Sequence, residues 1–251
     1  MSSDILIEIG ADRVAHLVLN RPNKHNAITP DMAAAIRDGL QRLAADENVR
    51  VVVVRGAGEK AFCAGTDLNS LDGFGSPWGF RNAINYAREF DAFEKPIVCA
   101  LKGWVYGGGF EIALNCDIRV SSPSARFAAP EVKHGWLGAG GFSQRLTRLV
   151  GYGHASRILF TGQPIDAADA HRIGVVEILV EEGAELETAL ALAKDMAANS
   201  EIALMTNKAG IRAAMEGGLT NGLAMERELM GFAMAMGAYG EGPSKFRARK
   251  E

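Results

Sequence analysis

Two glutamates stand in surroundings that favour chemistry. Glu111 follows three glycines and precedes Ile112, and Glu131 lies between Pro130 and Val132. A lone surface acid is usually a solvated charge. Two carboxyls that face one apolar pocket, however, are desolvated and repel each other, so their pKa values separate and one can serve as acid and the other as base. Such a pair could add or remove water.

The segment before Glu111 contains three consecutive glycines, Gly107, Gly108 and Gly109, between an apolar run and a helical stretch. Three glycines lose much backbone entropy on folding. A tight strand-to-helix turn would need only one or two of them. The alternative is that a ligand approaches the bare backbone, where the N–H groups at a helix start are unpaired. We therefore interpret the segment as a binding loop.

A second glycine-bearing turn spans residues 62–68, after a strand candidate and before a possible helix. Alone it is unremarkable. If both turns lie at the ends of neighbouring strands, each could direct one backbone N–H at the same oxygen, which is the geometry of an oxyanion hole.

Composition excludes several function classes. There are 27 Lys and Arg against 30 Asp and Glu, a net charge of −3 with no basic block, so general nucleic-acid binding is not expected. Cys63, Cys99 and Cys116 lie far apart and no His cluster has metal-ligand spacing, so we expect no metal site and a reduced, cytoplasmic protein. The sequence shows no signal-peptide pattern and no apolar run of about 18 residues, so we expect neither export nor a membrane span.

Two further glycine segments could hold phosphate in another context. Residues 56–60 lack the spacing and the Ser or Thr of a Walker A loop, and residues 138–143 have Ser143 where a dinucleotide-binding fingerprint needs its third glycine. Neither opens a clear βαβ unit. A Rossmann site is therefore not expected.

The elements that must position these residues alternate between strands and helices. Thr29, Pro30 and Asp31 predict a helix start, followed by Ile36, Leu40 and Leu43 at helical spacing. Short apolar runs predict strands on both sides of that helix: residues 5–7, 14–19, 51–54 and 97–101. This order is typical of an α/β fold.

The C-terminal third is rich in Ala, Met and Leu, and we predict helices over 185–199, 202–216 and 220–237. In the last helix an apolar stripe recurs at spacings of three and four: Met225, Leu229, Phe232 and Met236. The stripe fits either an intramolecular core or a subunit interface.

Taken jointly, several motifs resemble the enoyl-CoA hydratase/isomerase (crotonase) family. The resemblance covers nearly the whole chain. Its motifs are Leu19-Asn20-Arg21-Pro22, Asn26-Ala27-Ile28, Phe62-Cys63-Ala64-Gly65-x-Asp67-Leu68, Gly107 to Ala113, Cys116-Asp117-Ile118, Pro130-Glu131, Gln144-Arg145-Leu146, Leu159-x-Thr161-Gly162, Ala167-x-x-Ala170 and Gly174-Val175-Val176.

The resemblance implies a spiral of ββα units over residues 1–198 and a helical trimerisation region over 199–251. It also implies a homotrimer or a dimer of trimers. The ligand would be an acyl-CoA thioester, with no separate cofactor because coenzyme A is part of the substrate.

The resemblance also implies roles for individual residues. Backbone N–H groups at positions matching Ala64 and Gly108 would hold the thioester oxygen. The nucleotide end would be bordered by Lys24 and Ala27, although Lys24 could equally be a plain surface lysine. The remaining expected substrate contacts are Gly65, Thr66, Asp67 and Leu68.

Glu111 and Glu131 match the two glutamates that hydratases of the family use for syn addition of water to a 2-enoyl thioester. In this interpretation Glu111 deprotonates the water that attacks C3, and Glu131 delivers a proton to C2. Three alternatives stay open: an enoyl-CoA isomerase, an enzyme like the carnitinyl-CoA dehydratases, which Phe110 and residues 129–131 resemble, and an acyl-CoA or RNA-binding scaffold.

The chain departs from the family pattern beside Glu131. Gly138 replaces a proline, and Phe142 replaces a glycine that often precedes Gln-Arg. These changes bear on substrate preference and on the placement of water. Four aromatic residues are candidates for the wall of the acyl pocket or for simple core: Phe74, Trp78, Phe80 and Trp136.

Overall fold

The computed structural model describes residues 4–237, apart from the side chain of Phe74. In these residues ten strands form two sheets. The six-stranded sheet consists, in spatial order, of β1 (Ile5–Ile9), β2 (Val14–Leu19), β3 (Val51–Gly56), β5 (Ile97–Leu101), β7 (Ile118–Ser121) and β10 (Ile178–Leu179). Strand β1 is antiparallel to β2, and the other neighbours are parallel.

The four-stranded sheet carries the loops that matter for the site. Its strands are, in spatial order, β4 (Ala61–Cys63), β6 (Trp104–Tyr106), β8 (Arg126–Ala128) and β9 (Ile165–Asp166). Strands β4, β6 and β8 are parallel, so the loops that follow them emerge at the same edge of the sheet.

Nine α-helices lie within the described residues, and short 3₁₀ turns follow β4 and β8 at Leu68–Phe74 and Pro130–His134. The helices are α1 (Pro30–Ala45), α2 (Pro77–Arg81), α3 (Tyr86–Ala92), α4 (Gly108–Asn115), α5 (Thr147–Thr161), α6 (Ala167–Arg172), α7 (Glu185–Ala197), α8 (Glu201–Glu216) and α9 (Leu219–Ala235).

The chain repeats one unit along its length: a strand enters the large sheet, the next strand enters the small sheet, and a helix follows. Strands β3 and β4 lead to α3, β5 and β6 lead to α4, and β7 and β8 lead to α5. The predicted ββα spiral and α/β class are confirmed. The four predicted strands and the helix after Thr29 are confirmed too, with Thr29 Oγ1 accepting from the Met32 N–H at 3.2 Å.

Strand β3 shows why the sequence folds this way. Val52 and Val54 enter the larger core, while Val51 and Val53 pack towards α7, because successive side chains of a strand point to opposite faces. All four valines are buried, as expected for a parallel sheet covered on both faces.

Helices α8 and α9 form an arm that packs differently from the rest of the chain. Helix α8 reaches the body through Lys208, whose Nζ donates to Asp117 at 2.7 Å, whereas α9 packs against α8 and has no buried residue. In the predicted stripe Met225, Phe232 and Met236 are 43%, 54% and 57% exposed, and only Leu229 is half-buried, beside Gly210 of α8. The intramolecular-core interpretation of this stripe is therefore wrong.

Candidate active site

A cavity of about 560 Å³ opens where the loops after β4 and β6 meet the turn after β8. Its lining brings together seven of the residues predicted from the sequence: Ala64, Gly65, Thr66, Leu68, Gly108, Glu111 and Glu131. Three glycine-rich segments and both carboxylates therefore share one chamber.

The loops after β4 and β6 touch through their backbones. A Cβ placed on Gly65, whose φ is +93°, would lie 2.9 Å from the Gly108 nitrogen, and one on Gly109 would lie 2.3 Å from the Cys63 carbonyl oxygen. Gly107 has φ 54° and caps α4. Glycine is needed here because one backbone must pass against another. The predicted convergence of the two loops is confirmed.

The structure corrects the predicted donor at Ala64. The Ala64 N–H donates to the His25 carbonyl oxygen at 3.0 Å, so it is already satisfied within the protein. A different N–H of the same loop is available. The Ile28 N–H donates to the Gly65 oxygen at 2.8 Å and the Asp67 N–H donates to the Ile28 oxygen at 2.9 Å, which is one parallel bridge.

In a parallel bridge of this kind the N–H of the central residue, here Thr66, points away from the partner residue, Ile28. No acceptor for it is found in residues 4–237, and the same holds for the Gly108 N–H in the first turn of α4. Bond geometry from the Gly65 contact places the two nitrogens within about 6 Å of each other. One oxygen can therefore accept from both.

Glu111 lies in the first turn of α4 and is 6% exposed. Its Oε1 accepts from the Gly140 N–H at 2.6 Å. Burial raises the pKa of Glu111 to about 7; the Gly140 hydrogen bond opposes this shift, and the charge of Glu131 adds to it. The group therefore titrates near neutrality, where a general base or acid is most effective.

Glu131 approaches from the turn after β8 and is half-buried. A Cβ on Gly107 would lie 3.0 Å from its Oε1, which places the carboxyl against the N-terminal end of α4. Its Oε2 is buried and has no hydrogen-bond partner among the described residues. Burial raises the pKa of Glu131, so a proton on this carboxyl is favoured compared with an exposed glutamate.

Comparison with known proteins agrees with this geometry. The profile of the enoyl-CoA hydratase/isomerase family matches residues 10–251. The chain belongs to this family.

Relatives and solved structures are similar along most of their length. The short-chain-enoyl-CoA hydratase of Clostridium acetobutylicum is 36% identical over 222 residues, covering 87% of this chain and 85% of that protein. The 2,3-dehydroadipyl-CoA hydratase of Escherichia coli is 34% identical, covering 98% and 96%. A crystal structure of enoyl-CoA hydratase from Bacillus anthracis superposes with a TM-score of 0.93 at 30% identity, covering 98% and 97%.

The two departures from the family pattern are neighbours in space. A Cβ on Gly138 would lie 2.3 Å from Phe142 Cδ2 and 2.6 Å from Glu111 Oε1. Phe142 is buried, and its ring meets Phe110 edge to face at a centroid distance of 5.3 Å. The larger side chain at 142 thus occupies space that a larger residue at 138 would need. Phe110 is fully buried behind Glu111 and lies outside the cavity lining.

Three residues predicted to bind substrate do not line the cavity: Lys24, Ala27 and Asp67. The Arg21 guanidinium donates to the Ala27 carbonyl oxygen at 2.7 Å and to Asp67 Oδ2 at 3.0 Å, which ties two segments of the family motif together. Lys24 is exposed in a 3₁₀ turn. Contacts of these residues with the nucleotide end of coenzyme A stay predictions.

The four aromatic candidates for the wall of the acyl pocket lie in different places. Phe80 and Trp136 line the cavity and Trp78 does not, being 67% exposed, while the Phe74 side chain lies outside the described residues.

Sequence reasoning missed Tyr86, the first residue of α3, which also lines the cavity. It belongs to none of the motifs of the family, and a single tyrosine in a helix carries no signal of its own. The Gly140 N–H was missed because a backbone contact has no sequence signature.

Two features are absent from residues 4–237. No group of three or more His, Cys, Asp and Glu side chains is arranged to hold a metal ion. None of the helices combines the length and apolar character needed to cross a membrane.

Proposed function

We propose that this chain hydrates 2-enoyl-CoA thioesters, or dehydrates the corresponding 3-hydroxyacyl-CoA thioesters, with Glu111 and Glu131 as acid–base groups. The observation that carries the proposal is that both carboxyls line one cavity with two unpaired backbone N–H groups. The enzyme is of the hydratase type, as the family assignment indicates.

The N–H groups of Thr66 and Gly108 would act on the thioester oxygen. Water adds slowly to an unactivated alkene, so C3 must become electrophilic through negative charge that develops on that oxygen. Two fixed donors stabilise this charge without reorganisation, and losing one such donor typically costs about 10²–10³ in rate. The N-terminal end of α4 adds its own positive field.

The two carboxyls would divide the proton transfers. Glu111 as a carboxylate takes a proton from the water that attacks C3, and Glu131 as a carboxylic acid gives a proton to C2. Burial raises the pKa of both carboxyls, so the pair can hold a proton at higher pH than two exposed glutamates, which suits proton transfer in both directions. The assignment of Glu111 as base and Glu131 as acid follows the family resemblance. The two groups interact, so kcat/KM plotted against pH should be bell-shaped. Its two apparent pKa values should describe the pair of carboxyls and not either residue alone.

Retention of both glutamates favours hydration over double-bond isomerisation, since moving a proton between two carbons needs only one acid–base group. A scaffold without catalysis would not need a carboxyl at 6% exposure with a pKa of about 7.

The test is the loss of the conjugated thioester absorbance with crotonyl-CoA, 2-hexenoyl-CoA, 2,3-dehydroadipyl-CoA and cinnamoyl-CoA. We expect hydration of at least one of them. Absence of hydration across the series, with coenzyme A esters still bound, would contradict the proposal. The alternative outcomes are conversion of a 3-enoyl to a 2-enoyl thioester and salt-sensitive RNA binding without turnover.

The exposed face of α9 supports an assembly of several copies of this chain, and we propose that a second copy covers the stripe that includes Phe232. Helix α9 buries none of its residues within one copy. A helix with this many exposed Met, Leu and Phe side chains is typical of an interface. Light scattering should give the mass of a trimer or hexamer, and a stable active monomer at micromolar concentration would contradict this.

A further inference from the structure

The Tyr86 hydroxyl lies between the two loops that carry the proposed donors. Its Oη is 2.8 Å from Thr66 Oγ1. A Cβ placed on Gly108 would lie only 1.8 Å from the same Oη, so the phenol oxygen packs directly over the Gly108 Cα. Both neighbours of this hydroxyl are the residues whose N–H groups are unpaired, and Tyr86 lines the cavity.

This hydroxyl stays protonated. Burial is the largest cause that raises the pKa of Tyr86 above its ordinary value of 10, and the carboxyls of Glu111 and Glu131 add to the shift. Tyr86 lines the same cavity as both carboxyls. A neutral phenol can accept one hydrogen bond and donate another at the same time.

Helix α3 holds the side chain in place. Asn85 Oδ1 caps the helix at the Arg88 N–H, and its Nδ2 donates to the Ala139 carbonyl oxygen at 2.9 Å. The start of α3 therefore bridges the Thr66 loop and the segment around Gly140 that holds Glu111. A phenol fixed in this way would need little reorganisation to meet a developing charge.

We propose that Tyr86 is a third hydrogen-bond donor to the thioester oxygen, beside the Thr66 and Gly108 N–H groups. Either hydroxyl can donate in the contact between Thr66 Oγ1 and Tyr86 Oη, and the proposal requires Thr66 to be the donor, so that the phenol proton is free for the substrate. The inference rests on the proposed function, because it assigns Tyr86 to the same oxygen. It makes Tyr86 a catalytic residue and gives Thr66 two roles, one through its N–H and one through its hydroxyl.

The competing possibility is that Tyr86 only positions the Thr66 loop, and two variants separate these roles. Tyr86→Phe keeps the ring and removes the proton. Thr66→Val removes the hydrogen bond between the side chains and keeps both the Thr66 backbone N–H and the phenol. Tyr152→Phe serves as the matched control, because Tyr152 is 77% exposed on α5.

The experiment measures kcat and KM with crotonyl-CoA and the absorbance of bound cinnamoyl-CoA, whose band moves to longer wavelength when its carbonyl is polarised. For Tyr86→Phe we expect kcat to fall by about 10- to 10²-fold with KM changed by less than about threefold, and the band of the bound probe to shift less than in the wild type. Thr66→Val should lower kcat by less, and Tyr152→Phe should match the wild type.

Unchanged kcat and band position in Tyr86→Phe would overturn the third donor while leaving the proposed hydration intact. An equal loss of kcat in Thr66→Val and Tyr86→Phe, with the bound band at its wild-type position in both, would also overturn it and assign Tyr86 to positioning alone. Failure of the wild type to hydrate any of the enoyl-CoA esters would overturn both proposals.

Discussion

Two walls of the cavity use glycine for different physical reasons. The oxyanion wall is built by residues 64–66 and the turn 107–109, and the acid wall by the segment 136–142 beside Glu111. In the oxyanion wall a Cβ on Gly109 would strike the Cys63 carbonyl oxygen at 2.3 Å. In the acid wall a Cβ on Gly138 would meet side-chain atoms, the ring of Phe142 and the carboxyl of Glu111.

The contrast explains where this chain departs from the family pattern. Backbone yields less than a side chain, so glycine is a condition of the geometry itself at Gly65 and Gly109, where an added Cβ would meet backbone atoms. The need for glycine at 138 comes from two side chains instead, those of Phe142 and Glu111, and a substitution at 142 can change it. The chain accordingly keeps the family motif in the first wall and departs from it in the second.

The largest effect should follow a side chain at the centre of the oxyanion wall. In Gly108→Val the added Cβ would overlap the Tyr86 hydroxyl and disturb the start of α4, so we expect at least about 10³-fold loss of kcat/KM. Steady-state hydration of crotonyl-CoA measures it. Gly153→Ala is the control, because nothing lies within 4 Å of its Cβ. Turnover within tenfold of wild type in Gly108→Val would show that the wall is not built as described.

Substitution of the two carboxyls tests whether both take part in the hydration of one substrate. Glu111→Gln and Glu131→Gln should each lower kcat by at least about 10², because each removes an acid–base group while keeping its shape. Circular dichroism and coenzyme A affinity should stay close to wild type. Near-normal turnover in either variant on its best substrate would rule out the paired mechanism.

A smaller effect is expected in the acid wall. Gly138→Ala should push Glu111 and Phe142 apart and lower kcat by about tenfold, since a displacement of about 1 Å in a catalytic group is costly. Adding Phe142→Leu should recover part of the loss by vacating the contact at 2.3 Å. If the double variant is as slow as the product of the single effects predicts, the two positions are not coupled.

The smallest effect concerns stability against pH. The pKa of Glu111 rises from 4.5 to about 7 on folding, so between these values the folded state binds more protons than the unfolded state. Its contribution to the free energy of unfolding is therefore lost as pH rises through this window, by on the order of 1–3 kcal/mol. Glu111→Gln should melt at a higher temperature than wild type at pH 8 and at a similar temperature near pH 4.5. Equal melting temperatures at both pH values would contradict the buried titration.

Much of the oxyanion wall could be predicted from the sequence, because glycines mark positions where the backbone conformation or a close contact excludes a Cβ. Three consecutive glycines indicated the start of α4, and apolar runs predicted β3 and β5. These strands precede β4 and β6, the short strands that carry the two loops and were not themselves predicted. The donor itself was misplaced at Ala64, since the sequence does not show which N–H of a loop is taken by another carbonyl, here that of His25.

The contacts in the acid wall and the exposure of the C-terminal arm, α8 and α9, could not be predicted from the sequence. Contacts between Phe142, Gly138 and Glu111 depend on tertiary packing, and no periodicity encodes them. The stripe on α9 has the same helical spacing whether it faces its own core or solvent, so only the exposure of Phe232 and its neighbours in the structure separates the two.

The most direct test of the central claim is a crystal structure with an acyl-CoA analogue in which a methylene group replaces the thioester sulfur, so that a ketone oxygen stands in for the thioester oxygen. That oxygen should lie about 2.7–3.1 Å from the amide nitrogens of both Thr66 and Gly108. The acyl chain should run between Glu111 and Glu131. A ketone oxygen that accepts a hydrogen bond from the Ala64 N–H instead, or a ligand bound outside the 560 Å³ cavity, would contradict the mechanism.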